Sequence, residues 1–189
     1  ADASANPAYA AADILAQAEH GSGFERCWLI STSSKIIAAV KKEIEKQLSG
    51  QSRRKYIQEA LNKHCWLIQV KSLAESISLA NRLAPEHCEL MLKNHKEVAK
   101  KIVTAGALFL GNDSPTVTGD YVAGPSHTLP TGGAGASFQG LTVDMFQRRT
   151  SVVQYSKAAL KKSISVIEQF AEIEGLYAHG RSASIRLNP

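Results

Sequence analysis

Three observations predict an α/β fold for this chain, with a mainly parallel sheet, helices on its faces and a helical and extended tail at the C-terminus. Apolar runs of strand length alternate along it with segments whose apolar residues recur at helical spacing. Such an alternation favours crossover connections and hence parallel strands. From Asn112 to Gly140 the composition shifts to Gly, Pro, Ser and Thr. That shift separates an α/β body over residues 1–140 from a tail over 141–189.

Each element has its own justification. Asn6-Pro7 supplies a cap and a proline at the first helical position, so a helix is expected to about Glu19, stopped by Gly21. Cys27–Ser33 is apolar and bounded by Gly and Ser, as a buried strand is. Ile36, Ile37, Val40, Ile44 and Leu48 mark an amphipathic helix ending before Gly50. A polar helix is expected over Arg53–Asn62 and a second strand over His64–Val70. Ser72 caps a helix through Leu83, which carries Leu73, Ile77 and Ala80 on one face. Pro85 ends that helix, because the residue before a proline is pushed out of the α region. Glu89–Met91 is a short strand, Val98 and Ile102 belong to a helix, and Ala105–Leu110 is a further strand. Beyond the loop-like stretch come a short segment Val143–Gln147, a strand-like Ser151–Tyr155 and a long helix Lys157–Glu174. The apolar stripe of that helix is Ala159, Leu160, Ile164, Ile167 and Phe170, and an extended end follows it.

The 189 residues suffice for one sizeable α/β domain and an appendage. Lys and Arg exceed Asp and Glu by 22 to 17. Much of that excess lies in Lys41-Lys42, Arg53-Arg54-Lys55 and Lys161-Lys162, on faces expected to be solvated or to attract small anions. No basic run is interleaved with aromatics, so a nucleic-acid surface is not expected. No run of 18 apolar residues or signal peptide is present, so no membrane partner is expected. Cys27, Cys65 and Cys88 form no CxxC pair and sit in apolar runs. Buried thiols in a reducing, cytoplasmic compartment are expected (a plastid, were the source a plant).

Four histidines stand in runs crowded with carboxylates and amides. Gln17 and His20 are three apart on a helix and share a face. They suit either a shared metal or a histidine placed at the negative end of the helix dipole. Glu86 and His87 follow Pro85, and neighbours on a strand point to opposite faces unless the backbone turns. They form either a solvent-facing strand start or an acid/base pair. Asp120 and His127 bracket a loop containing Gly124-Pro125, where a carboxylate can ligate zinc and an imidazole can contact substrate. Glu174 and His179 close the chain from a turn broken by Gly175. Gly132-Gly133-Ala134-Gly135 does not fit a nucleotide-binding fingerprint and reads as flexible loop or close packing. Cys88 lacks an orienting partner and reads as a packed thiol. His64 and His95 have no companions.

Together these runs resemble histidinol dehydrogenase over nearly the whole chain. The resemblance is carried by Ala11–Gly21, Asn81–His87, Ala105–Gly111, Gly119–Gly133, Arg148–Ser151 and Glu174–Ser182, in order and spacing. It implies a partial Rossmann-like fold and the oxidation of L-histidinol to L-histidine through the aldehyde, the last steps of histidine biosynthesis. Two NAD molecules in succession and one zinc per site would serve that reaction. By resemblance Gln17, His20, Asp120 and His179 ligate the zinc, which the substrate's amine and imidazole complete to six-coordination. His87 is then the base for the alcohol proton, and Glu86 activates the water that attacks the aldehyde-level intermediate. The substrate-binding set is Gln17, His20, His87, Asp120, His127, Glu174 and His179. Glu174 and His179 would come from the partner of a homodimer. The NAD-binding residues are not assigned in this chain, because the family's N-terminal half, which supplies most of that surface, has no counterpart here. The chain is therefore expected to be a C-terminal portion that holds zinc without turnover. Two other readings are a stand-alone zinc-dependent binding domain without redox activity, and a metallohydrolase using Glu86, which the lack of an HExxH helix disfavours.

Overall fold

The structure, a computed structural model, describes residues 1–187. They form two compact units, Ala1–Phe146 and the residues from Gln147 onward.

In the first unit Asn6 Oδ1 accepts the amide of Ala8 and starts α1 (Pro7–Ala18). Strand β1 (Cys27–Ser31) leads into α2 (Ser34–Leu48), which Ser33 caps through the amide of Ile36. Helix α3 (Arg54–His64) then runs directly into β2 (Cys65–Gln69), so His64 ends a helix rather than opening a strand. The crossover makes β1 and β2 parallel, with Cys27 opposite Cys65 and Ser31 opposite Gln69. Alternate residues Cys27, Leu29 and Ser31 turn inward. There Ile14, Leu15, Val40, Ile44 and Ile57 close the larger core. Trp28 points the other way and stacks on Trp66, ring centroids 5.9 Å apart.

Ser72 caps α4 (Leu73–Leu83) by accepting the Glu75 amide, and the Glu75 carboxylate reaches back past the cap to accept the amide of Lys71. Strand β3 (His87–Leu90), α5 (His95–Ala99) and β4 (Ala107–Leu110) follow. Strands β3 and β4 are parallel, with His87 opposite Ala107 and Leu90 opposite Leu110. A second, smaller core gathers Leu90, Val98 and Ile102. The strands are parallel as the crossovers require, yet among the described residues they form two separate two-stranded sheets rather than one.

The stretch read as loop contains a helix, α6 (Thr116–Tyr121), and a 3-10 turn at Ala134–Ala136. Gly135 there leaves no room for a side chain, since a Cβ would meet the Thr104 carbonyl oxygen at 2.1 Å. Within the glycine run it is therefore Gly135 that is close packing, whereas Gly132 and Gly133 take positive φ of 62° and 88° in the turn before it. Val143–Phe146 is a further 3-10 turn.

In the second unit Ser151–Tyr155 is not a strand: Val152 and Val153 are exposed and pair with no neighbour among the described residues. Ser156 caps α7 (Lys157–Ile173). The end is not extended either, for α8 (Tyr177–Ser184) folds back on α7, where Gly180 lies against Ala171. Of the expected stripe on α7, Phe170 is exposed.

Candidate active site

The approach to His87 is shaped by the backbone before it. Helix α4 closes on Ala84 with φ 44°, in the left-handed region, and Pro85 forbids a further turn. Glu86 then forms a bend and His87 opens β3. The bend interrupts the regular alternation of the strand between Glu86 and His87. Beyond it the side chains alternate, so His87 and Glu89 share one face of the strand. Leu90 goes into the core on the opposite face. Cys88 shares that opposite face, and burial pushes its thiol up to about 11, which makes it a poor nucleophile.

The His87 ring lies 5.9 Å from that of Phe109 on β4, tilted by 55°. Helix α6 can rest on Phe109 because Gly119 presents no side chain, a Cβ there falling 2.9 Å from ring atoms Cε1 and Cζ. The next residue is Asp120. Its Oδ1 lies 4.0 Å from His87 Nε2 and 2.9 Å from His127 Nδ1. His87 and Asp120 are sheltered, whereas His127 is exposed. Asp120, expected on a loop, thus sits on a short helix between two imidazoles.

The start of α6 is tied down from the strand. Glu89 Oε1 accepts both the backbone amide of Thr116 at 3.0 Å and its hydroxyl at 2.5 Å. Glu89 also hydrogen-bonds Asp13 of α1, and burial together with the charge of Glu89 pushes the Asp13 carboxyl up to about 7. One helical turn after Asp13 on α1 comes Gln17, half-buried, and past the helix end comes His20, exposed. His20 Nδ1 is 2.9 Å from the Gln17 carbonyl oxygen. Arg53 holds the same turn by donating to the His20 carbonyl, beside Gly21 at φ 80°.

The structure therefore groups the expected residues unevenly. His87, Asp120 and His127 meet. Gln17 and His20 share the end of α1. Glu174, the residue closing α7, and His179 on α8 are exposed in the second unit. Among the described residues no three His, Cys, Asp or Glu side chains converge tightly enough to hold a metal by themselves. The individual donors nevertheless suit zinc. One amide, two imidazoles and a carboxylate make an N/O set. With its Nδ1–H given to a backbone carbonyl, His20 keeps Nε2 free in the tautomer common among metal-bound histidines.

Asp13, Glu89 and Thr116 escaped attention in the sequence. A signal was present, since Asp13 precedes Gln17 by one helical turn and Glu89 follows His87 by one strand repeat. Neither spacing says that the two carboxyls meet.

A model of the histidinol dehydrogenase family matches residues 1–187. This chain belongs to the histidinol dehydrogenase family. The Geobacter metallireducens histidinol dehydrogenase is 44% identical over 186 residues, covering 98% of this chain and 42% of the relative. That of Geobacter sulfurreducens is 45% identical over 186 residues, covering 98% and 43%. The crystal structure of histidinol dehydrogenase from Elizabethkingia anophelis superposes with a TM-score of 0.92 at 36% identity, covering 100% of this chain and 43% of that one. The chain thus spans less than half the length of these relatives, and across that span it shares the fold of the family.

Proposed function

We propose that this chain forms the substrate-binding and proton-transfer part of a zinc- and NAD-dependent histidinol dehydrogenase. It would oxidise L-histidinol to L-histidine through L-histidinal, in a homodimer whose tails complete each other's sites. The observation that carries the reading is the sheltered contact of His87 with Asp120, beside the Glu86 bend, in a chain whose relatives are named for this activity.

Gln17, His20, Asp120 and His179 would hold the zinc. When bound, zinc supplies a fixed anchor for the substrate's amine and imidazole, and NAD supplies the hydride acceptor. His127 and Glu174 place the remaining polar groups of the substrate. His87 Nε2, 4.0 Å from Asp120 Oδ1, takes the alcohol proton as the hydride leaves the carbinol carbon. Glu86 then takes a proton from water as its oxygen adds to the aldehyde carbon. His87 meanwhile releases the first proton to solvent, and in the second oxidation it accepts the remaining hydroxyl proton as hydride departs, which leaves the carboxylate product. The half-buried setting of His87 and Glu86 limits competing exchange with bulk water.

The test uses the complete reading frame that contains this chain, loaded with zinc and given NAD and L-histidinol. Two NADH should form per histidinol consumed. His87→Asn should lower kcat by about 10²- to 10⁴-fold, the usual worth of a positioned base. Absence of NAD reduction by the unmodified protein would remove the reading.

A further inference from the structure

We infer that Asp13 and Glu89 are positioning residues of this site, their hydrogen-bonded carboxyls tying α1, β3 and α6 together so that the residues each element presents keep their mutual geometry. This rests on the reading above, which assigns chemistry to those residues. Three elements meet at the pair. Asp13 lies one helical turn before Gln17 on α1. Glu89 lies two residues past His87 on the same face of β3. Thr116, which gives Glu89 two hydrogen bonds, lies one helical turn before Asp120 on α6. Each tie thus falls one structural repeat from a residue of the site.

Stability alone does not call for this arrangement. Among the described residues neither carboxyl has an ion pair with Lys, Arg or His. Two half-buried acids side by side repel unless a proton lies between them, and burial beside Glu89 raises the affinity of Asp13 for that proton. An amide or apolar residue would fill the space at less cost. What the pair adds is direction. Glu89 is left with both a donor from Asp13 and two donors from Thr116. Helix α6, six residues long and poor in helix formers, takes its starting position from that carboxylate.

The experiment compares Asp13→Ala, Asp13→Asn, Glu89→Ala, Glu89→Gln and Thr116→Val in the complete reading frame. Amide hydrogen exchange of Thr116–Tyr121, zinc affinity by chelator competition, and kcat with KM are measured. Both alanine variants should accelerate exchange in α6 and lower zinc affinity or kcat by about 10- to 100-fold, as outer-shell partners of a metal site do. Glu89→Gln keeps an oxygen acceptor for Thr116, and Asp13→Asn keeps a donor for Glu89, so both should recover most of the loss. Thr116→Val removes the hydroxyl bond alone and should speed exchange in α6 without abolishing binding, which keeps the test decisive should an alanine variant not fold. Unchanged exchange in Glu89→Ala and in Thr116→Val would overturn the inference, and so would conservative variants as impaired as the alanine ones. If the unmodified protein fails to oxidise histidinol, the assigned reaction falls, while exchange and zinc affinity still decide the positioning role.

Discussion

Asp13 is where the chemistry of a single side chain is most exposed to measurement. Its folded-state pKa is raised from the usual carboxylate range to about 7 by burial and by the charge of Glu89. A raised pKa means that the folded state binds this proton more tightly than the unfolded one. The corresponding stability is complete below about pH 4 and is lost as pH rises through 7. The protein should therefore melt lower at pH 8.5 than at pH 5.5, and Asp13→Asn, which carries no charge to lose, should narrow that gap. Paired melting curves at the two pH values check it, and an equal gap in both proteins would refute it. Gly119 makes a steric case of the same kind. Because Phe109 is buried and cannot swing aside, Gly119→Ala has to push α6 off the ring. A cost of about 1–3 kcal/mol in denaturant unfolding is expected, as for other overpacked sites. Activity should drop further than stability explains, because the displaced neighbour is Asp120.

Helices and strands with a local origin were legible in the sequence. Asn6 illustrates this, because its cap fixes where α1 begins and so where Gln17 and His20 fall at the other end. Its backbone amide also donates to Asn112 Oδ1, 106 residues away. Asn6→Ala should cost about 0.5–2 kcal/mol, the range for a lost cap, measured by chemical denaturation. The elements that went unread, or were misread, have a tertiary origin. Thr116–Tyr121 is built of Thr, Val, Gly and Asp, none of which favours a helix, and it forms because Glu89 collects its first amide and hydroxyl. Ser151–Tyr155 has the composition of a strand, but β propensity expresses itself only against a partner, and none is present among the described residues. The end of the chain is expected to be extended beyond the turn broken by Gly175, yet it forms α8. Gly180 in fact permits α8 to approach Ala171 of α7. The site followed the same division. The two alternatives at Glu86 and His87 came from the proline before them, whereas the contact of His87 with Asp120 depended on how Gly119 packs.

At the scale of the whole molecule the decisive residue is His179. The second unit leaves Val166, Phe170 and Ile173 exposed at helical spacing along α7, and Val152 and Val153 exposed before it. His179 and Glu174 are exposed on the same unit. A tail that reaches a neighbouring subunit would satisfy both facts, and complementation tests it. Let one subunit carry His87→Asn and the other His179→Asn, in complete reading frames that are each inactive when pure. If tails cross, a mixed dimer contains one site with both defects and one site with neither. If each tail serves its own body, every site retains one defect. Unfolding and refolding the two proteins together at equal concentration makes half the dimers mixed, with one intact site of two. About a quarter of the unmodified activity should then return, as two-fold symmetry requires. A mixture as inactive as its parents, with mixed dimers demonstrated by mass spectrometry, would place His179 in its own subunit's site and end the crossed-tail proposal.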